Sequence, residues 1–496
     1  MKGGEILGGN YEKDLFKHNQ ELTNENEKLK VKIAKIEAET ANKYLGIIDK
    51  LNETIEGVLK KCGELEERVA KLETENERLR KQLNNDSNNS SNPPSSDKKT
   101  NAANTYNGRT KTEKKTGGQK GHEGKHLSVA AIEEKIEKGK IRREIVNHGV
   151  PEGSYISKYV IELKIEAVAI EHRFYGKAVI PKELRGEVQY GNEIKSVVAT
   201  LAGQGIVASN RIVDMLSSMT GGAIELSEGT VYNFLSEFNT KAQMGVAAIK
   251  TKLLNNTVMN IDETGARICA QNMTFRNYSD KQRVLYTVNP TKGKQAIEDD
   301  GILPQFVGIL VHDHNTVNYN YGTGNAECNV HLIRYLKANS DNTHHDWSDD
   351  MIEFLLALKR SKEAAIGFGL SGFERADIEK YQKRYDEIIK SGFEILKTTQ
   401  SRFYQKEEKK LLNRLKKYRD NHLLFAFNFD VPFDNNLSER DLRMVKIKGK
   451  VSGCFRSMDG AKNFANLMSI IKTAIKQNVS PYFAVSSIFH GRSCLI

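Results

Sequence analysis

Three acids in this chain stand where an acid needs a task. Val258-Met-Asn-Ile reads as a short apolar strand that runs into Asp262-Glu-Thr-Gly265, where Thr-Gly is expected to turn the chain. Gly308-Ile-Leu-Val-His-Asp313 has the same form, an apolar strand ending in an acid. Asp434-Asn-Asn-Leu-Ser-Glu439-Arg-Asp-Leu-Arg443 reads as a helix start with Glu439 on its first turn. A carboxylate at the end of a core strand is costly to bury unpaired, so a metal ion or a catalytic role is the usual resolution. Mg²⁺ is a hard cation that takes carboxylate oxygens and leaves room for water and phosphate. Two such ions can hold both the attacking and the leaving oxygen of a phosphodiester. Asp262, Asp313 and Glu439 are therefore the candidate metal ligands and catalytic residues, with two Mg²⁺ ions as the expected cofactor and Mn²⁺ as a substitute.

Neighbouring residues compete with these three or support them. Glu263 follows Asp262 on a strand and should face the other way. Asp434 suits a helix cap. Asp441 is two residues from Glu439 and faces away on a helix, which leaves Glu327 as the strongest rival. Cys328 and His331, three apart on a helix face, have ligand types suited to zinc. No second pair stands nearby, so they are expected to shape the acid cluster, with plain packing as the alternative. Arg443 and Lys446 follow Glu439 at four and seven and share its helix face. With Lys450 they form a basic row that could lead a phosphate backbone to the acids; a salt bridge that merely holds the helix is the alternative.

The elements that must position these residues begin with an amino-terminal arm, 1–85. Leu15, Leu22, Leu29 and Ile36 recur every seventh residue, and after a phase slip Leu51, Val58, Leu65, Leu72 and Leu79 do the same. Ile55, Cys62, Val69, Asn76 and Leu83 fill the companion positions, with Asn19 and Asn26 earlier. Two interleaved seven-residue repeats make a coiled coil, and Asn on the seam fixes register in a parallel dimer. The alternative is a helical hairpin hinged near Gly46 or Gly57. Residues 86–126 form a polar, basic linker containing Lys114, Lys115 and Lys120; it is either solvated chain or an arm along DNA phosphates.

Residues 127–187 alternate in places, as in Tyr159-Val-Ile-Glu-Leu-Lys-Ile165, and suggest a small β-rich segment. It has no cysteine, so no Cys-based zinc site is expected there, and none elsewhere. Residues 188–250 read as short helices joined through Thr220-Gly-Gly, the third capped by Ser227 and running from Glu228 to Phe238. That pattern suits a helix-turn-helix. Its exposed face carries Thr230, Asn233 and Ser236 and no Arg, so an ordinary helical subdomain competes. Downstream, strands are expected at Arg267–Ala270, Thr274–Tyr278 and Arg283–Val288, a helix near Gly293–Asp299, then the strand ending in Asp313. Three strands, a helix and a strand, with acids on the first and fourth strands, is the order of a ribonuclease H-like core. That core is expected over 255–336 and 430–480, interrupted by a mostly helical insertion at 337–429 and followed by a tail at 481–496. Trp347 stands at the insertion's entrance, as an anchor of its core or as a platform for an unpaired base. The fold class is thus multidomain α+β.

Lys plus Arg number 75 against 64 for Asp plus Glu, a formal charge of +11. The excess favours a polyanionic partner. No apolar run approaches a membrane span, the first residues hold no signal-peptide core, and five scattered cysteines fit a reducing cytoplasm.

The chain resembles the transposases of the insertion sequence 66 type over nearly its whole length. The resemblance rests on the coiled coil and Ser90-Ser-Asn-Pro-Pro-Ser-Ser-Asp97, on Gly117-Gly-Gln-Lys-Gly-His-Glu-Gly124 and on Leu226-Ser-Glu-Gly-Thr230. It continues through Asp262-Glu-Thr-Gly265, Asp434-Asn-Asn-Leu-Ser-Glu-Arg440 and Ser469-Ile-Ile-Lys-Thr-Ala474. Two departures stand out: the cysteine-rich zinc segment usual after the Gly-His motif is missing, and Phe275 stands where Trp is usual. The resemblance implies a Mg²⁺-dependent transposase with Asp262, Asp313 and Glu439 as an Asp-Asp-Glu triad. It matches Cys328 and His331 to a motif found after the second Asp in transposases with helical insertions. Double-stranded DNA, both element ends and target, is the implied partner. A homodimer through the coiled coil, accessory proteins of the same element, a cytoplasmic location on the nucleoid and no membrane contact complete the expectation. Two rivals are a catalytically silent protein of transposase descent acting as repressor or accessory factor, and a purely structural coiled-coil protein. An intact triad argues against the first, and the strand-end acids against the second.

Overall fold

The computed structural model describes residues 8–84, 128–148, 153–181, 184, 186–269, 271–399 and 401–492. The linker 86–126 with Lys114, Lys115 and Lys120, and the motifs at 90–97 and 117–124, lie outside the described residues. The arm is rich in Glu, Lys and Leu, contains no proline, and forms one helix, α1 (Gly8–Asn84). It passes Gly46 and Gly57 without a break, so the hairpin alternative is not adopted. Its leucines stay open to solvent, from 42% exposed at Leu22 to 64% at Leu59.

The strands expected between 127 and 187 do not form among the described residues. A short helix, α2 (Val129–Glu137), capped by Ser128, is followed by irregular chain. The alternation at 159–165 is real, but Val160 and Leu163 are 80% and 83% exposed. A strand is held by a partner's ladder and a covered face, and this stretch has neither.

Next come α3 (Asn192–Gly203), α4 (Ser209–Met219) and α5 (Glu228–Leu254). Gly221 and Gly222 both take positive φ in the turn before α5, a conformation that suits glycine. The Ser227 hydroxyl accepts from the Thr230 amide at 3.0 Å, as a cap should. The third helix does not stop at Phe238. Its buried stripe continues through Ala242, Gly245, Ile249 and Leu253, residues small enough at 242 and 245 to hide the period.

The sheet has five strands: β1 (Val258–Ile268), β2 (Gln271–Ser279), β3 (Val284–Asn289), β4 (Ile309–His312) and β5 (Gly324–Glu327). Their order is β3-β2-β1-β4-β5; β1 to β3 are antiparallel, and β4 and β5 run parallel to β1. Thr264-Gly265 does not turn the chain. Both stay paired with β2, opposite Phe275 and Thr274, so Asp262 is mid-strand, and Arg267 and Ile268, expected to open a separate strand, are the end of β1. A helix, α6 (Lys294–Asp300), precedes β4.

From β5 onward the chain is helical: α7 (Asn329–Thr343), α8 (Trp347–Gly367), α9 (Arg375–Ile395), α10 (Arg402–Lys417) and α11 (Arg419–Phe427). Their apolar faces share a core that includes Trp347, Leu355, Tyr385, Leu412 and Leu423. Then follow α12 (Asn436–Ser452), α13 (Met458–Lys476) and α14 (Pro481–Phe489).

Strand alternation sorts the sheet's two faces. Met259, Ile261, Tyr278 and Leu310 join Phe238, Ile470 and Phe489 in one core. Ile268, Phe275 and Tyr286 join Leu442 and Val445 of α12 in another. The free edge of β3 is covered by α13, whose Ser469 and Thr473 hydroxyls accept from the Tyr286 and Val284 amides at 2.9 and 3.1 Å. An unpaired edge would otherwise invite another strand. The fold is thus a helix-rich α+β arrangement around a small mixed sheet.

Candidate active site

Strand register brings the first two acids together. Asn260 lies beside Val311 in the parallel β1–β4 pair, so two residues further on each strand stand Asp262 and Asp313. In the β4–β5 pair His312 lies beside Glu327, so the next residues are Asp313 and Cys328. Cys328 is the N-cap residue of α7, and His331 sits on that helix's first turn.

The third acid comes from α12, and buried amides dock it. Asn435 Nδ2 donates to the Ile261 carbonyl at 2.8 Å, and Asn260 Nδ2 donates to Asn435 Oδ1 at 2.8 Å. The Ser438 hydroxyl donates to Asn277 Oδ1 at 2.6 Å, and Asn277 Nδ2 returns a bond to the Ser438 carbonyl at 3.0 Å. The Asn435 amide donates to Cys328 Sγ at 3.2 Å. Asp262 and Asn277 are cross-strand partners and therefore share the α12 face of the sheet. The docked first turn carries Glu439 to this place. Asn260, Asn277, Asn435 and Ser438 were not singled out from the sequence. Their signal was polarity inside apolar runs, which is tolerated only when hydrogen-bonded.

The donor atoms of Asp313, Cys328, His331 and Glu439 all lie within 4.8 Å of one another. His331 Nδ1 is 3.2 Å from Asp313 Oδ1 and 3.6 Å from Glu439 Oε1. Neither approach is aligned as a hydrogen bond, and His331 Nδ1 and Glu439 Oε1 are both buried without one. Asp262 is outside this group of four, yet its charge is felt. Burial first, then Asp313 and Glu439, push its carboxyl up to about 8. Burial alone would lower the His331 pKa, but contact with Asp313 and Cys328 overrides it and holds the ring at about 11. Burial raises Glu439, with Asp313 adding to the effect. The centre is therefore a knot of carboxylates with too little positive charge to balance it. That is the condition a bound divalent cation relieves, and carboxylate oxygens with an unclaimed Glu439 Oε1 fit Mg²⁺.

The rival acids go elsewhere. Glu263 faces the other side of the sheet, 3.2 Å from Arg276, itself 2.7 Å from Asp300. Asp434 Oδ1 accepts from the Asn436 amide at 3.0 Å. Asp441 pairs with Lys476 at 2.8 Å. Glu327 is wholly enclosed, with His314 Nδ1 at 2.9 Å, Arg414 Nη2 at 2.6 Å, His422 Nε2 at 3.2 Å and the Tyr319 hydroxyl as a further donor.

Arg443, Lys446 and Lys450 lie exposed along α12, in line with Glu439. Asn233 is exposed on α5, whereas Thr230 is half-buried and tied to the Ser227 cap. Trp347 corrects the expectation of a base-stacking platform. It is 1% exposed, its indole N–H donates to Glu408 Oε1 at 2.7 Å, and it packs so closely on Gly392 that a Cβ there would lie 3.0 Å from the ring. The tryptophan anchors the helical block.

Among the described residues no helix is long and apolar enough to cross a membrane. Comparison with curated proteins finds no match. Two family models match the chain. The one described as a family of unknown function (DUF6444) covers residues 17–128, and the one described as Transposase IS66 family covers residues 187–463.

Proposed function

This chain belongs to the IS66 family of transposases, and on that premise we propose that it is a metal-dependent DNA transposase of the Asp-Asp-Glu type. It would cut the ends of an insertion sequence and join the freed 3′-hydroxyl to target DNA, with no covalent enzyme intermediate. The observation that carries this reading is the convergence of Asp262, Asp313 and Glu439, from β1, the end of β4 and α12, into one charge-coupled centre. In this reading the sheet with α12 and α13 is a ribonuclease H-like core at 255–336 and 430–480, and the helices of 337–429 are its insertion. Residues 188–250 and the basic linker contact double-stranded DNA, and α1 pairs two copies of the chain. Accessory proteins of the same element and a cytoplasmic, nucleoid-bound location belong to the same proposal.

Asp262, Asp313 and Glu439 would hold two Mg²⁺ ions, for which Mn²⁺ can substitute; zinc has no part in the reading. When bound, the ions would activate water and stabilise the attacking and leaving oxygens of the phosphodiester. His331, between Asp313 and Glu439, offsets part of the repulsion between them, and Cys328 fixes the start of α12 through the Asn435 amide. Arg443, Lys446 and Lys450 would guide the phosphate backbone along α12.

The test is strand cleavage of DNA carrying the element's own ends, with Mg²⁺ and with chelator. Mg²⁺-dependent nicking that leaves 3′-hydroxyls is the expected result. Specific DNA binding with no cleavage in Mg²⁺ or Mn²⁺ would overturn it in favour of a silent DNA-binding descendant.

A further inference from the structure

The helical block carries one face whose charge is not balanced. From Gln405 to Lys417 the exposed residues of α10 are Lys406, Lys409, Lys410, Asn413, Lys416 and Lys417. Their spacing puts them on one side of the helix, away from the buried Glu408, Leu412 and Leu415. Lys410 pairs with Glu407 at 2.7 Å. Among the described residues Lys406, Lys409 and Lys416 have no acidic partner. A merely solvated helix looks different. The preceding α9 mixes signs on its exposed face and pairs them, Arg375 with Glu379 and Arg384 with Glu387.

At its carboxyl end α10 is fixed close to the acid centre. Arg414 Nη2 is 2.6 Å from Glu327 Oε2 at the end of β5, and its guanidinium lies 5.0 Å from the Tyr335 ring of α7. Tyr418, the residue after α10, has its ring 4.8 Å from those of His314 and Tyr319. Lys417 Nζ lies 4.9 Å from the Tyr418 ring. His314 follows Asp313, and Glu327 precedes Cys328. In the sheet order β3-β2-β1-β4-β5, α12 is docked on β1 and β2 and α10 on β5. Asp313, at the end of β4, therefore has a basic helix to either side.

We propose that the exposed face of α10 is a second phosphate-binding surface, which holds duplex DNA on one side of the cut while α12 holds the other. The inference rests on the reading that Asp262, Asp313 and Glu439 cut DNA. The partner is the backbone of the duplex, because a row of lysines meets a line of like charges and reads no base. Lys406 to Lys417 and Glu439 to Lys450 each advance eleven residues. That is roughly 16 Å of helix, or about five phosphates along one strand. A duplex is stiff over such a length, so DNA held by α12 alone would run past the centre unsupported. The enclosed Glu327, which has no part in the chemistry, thereby gains a role: through Arg414 it sets α10 in place beside the acids.

The experiment uses the full chain and DNA carrying the element's own ends. Lys406→Ala, Lys409→Ala and Lys416→Ala are combined in one variant; all three sites are exposed, so its melting temperature should stay that of wild type. Its slope of log affinity against log salt should fall by about 0.9 for each lysine that meets a phosphate. A matching α9 variant, Lys380→Ala with Lys383→Ala and Lys390→Ala, should keep the wild-type slope. Placement is read by photo-cross-linking from Asn413→Cys on α10 and, separately, from Gly449→Cys on α12, where a side chain has open space. Both are made in a chain with Cys62, Cys269, Cys454 and Cys494 changed to Ser. The two probes should attach to DNA on opposite sides of the nick. A wild type that nicks this DNA while the α10 variant keeps the full slope would overturn the proposal alone, as would attachment of both probes on one side. A wild type that binds without nicking would overturn the catalytic reading, and the placement of α10 about a cut with it.

Discussion

Glu327 and Glu439 are both drawn out of solvent beside Cys328, and they keep opposite company. Glu327 is the chain neighbour of that cysteine and is met by His314, Tyr319, Arg414 and His422. Glu439 reaches the same cysteine from α12 and has an oxygen that no donor meets. Burial raises the pKa of both, but for Glu327 the histidine contacts and Arg414 reverse it and hold the carboxyl far below the ordinary range. Glu439 stays raised. A fold that surrounds an acid with donors has used it as a structural part. An acid buried short of donors is instead the kind of group that a ligand can complete. Glu408 belongs with Glu327: it is enclosed among His345, Trp347 and Thr399.

The contrast breaks most visibly in DNA cleavage. Glu439→Gln keeps the shape and removes the charge, and Mg²⁺-dependent nicking should fall by roughly 10²–10³-fold, the scale for losing one preorganised charge-stabilising group. DNA binding should persist or tighten, since a negative charge near the phosphates is gone. Near wild-type nicking by Glu439→Gln, alongside a dead but folded Glu327→Gln, would reverse the two roles.

Stability should show the opposite ranking. Glu327→Gln leaves Arg414 enclosed without its counter-charge and should cost about 3–5 kcal/mol, read from denaturant midpoints. Glu439→Gln should cost little in the metal-free protein, because it removes a repulsion. The pH profile follows from the sign of the Glu327 shift. Its folded pKa lies below the unfolded value, so its contribution is fully present above about pH 4.3 and is lost on further acidification. Thermal melts of Glu327→Gln should therefore be flatter than wild type in acid; parallel curves would mean that Glu327 is not the group responsible.

Smaller still is the effect of Trp347→Phe, which removes one bond to a buried carboxylate at a cost of about 1.5–3 kcal/mol. The folded variant should cut DNA as wild type does, and a specific loss of cutting at unchanged stability would return Trp347 to the DNA. The least effect is expected at the exposed end of α12. Lys446→Ala should reduce the slope of log affinity against log salt by about 0.9, the share of one phosphate contact. An unchanged slope would remove α12 from the DNA path.

Where the sequence was readable, one local pattern carried each inference. Apolar runs ending in acids located Asp262 and Asp313, and a cap followed by an acid located Glu439. The arm was legible because its period repeats so often. The rest failed for definite reasons. β5 is only Gly324-Asn-Ala-Glu327, with none of the branched or aromatic residues that mark strands. α5 was cut short because Ala242 and Gly245 carry its contact face; a Cβ on Gly245 would lie 3.2 Å from Ile470. The stretch after α2 alternates as a strand does but lacks a ladder. Rivalry between Glu327 and Glu439 could not be settled from spacing, because Arg414 and His422 reach Glu327 from helices far along the chain.

The docking of α12 has a consequence during synthesis. Asn260 and Asn277 wait on β1 and β2 for partners, Asn435 and Ser438, that are made much later. Glu439 follows Asp313 by 126 residues, all of the helical block lying between. At roughly 5–20 residues per second, that separates the first two acids from the third by on the order of ten seconds on the ribosome. The segment that would pair chains leaves the ribosome before the centre that would cut DNA is finished. A nascent chain could thus find its partner before it is able to damage the genome that encodes it.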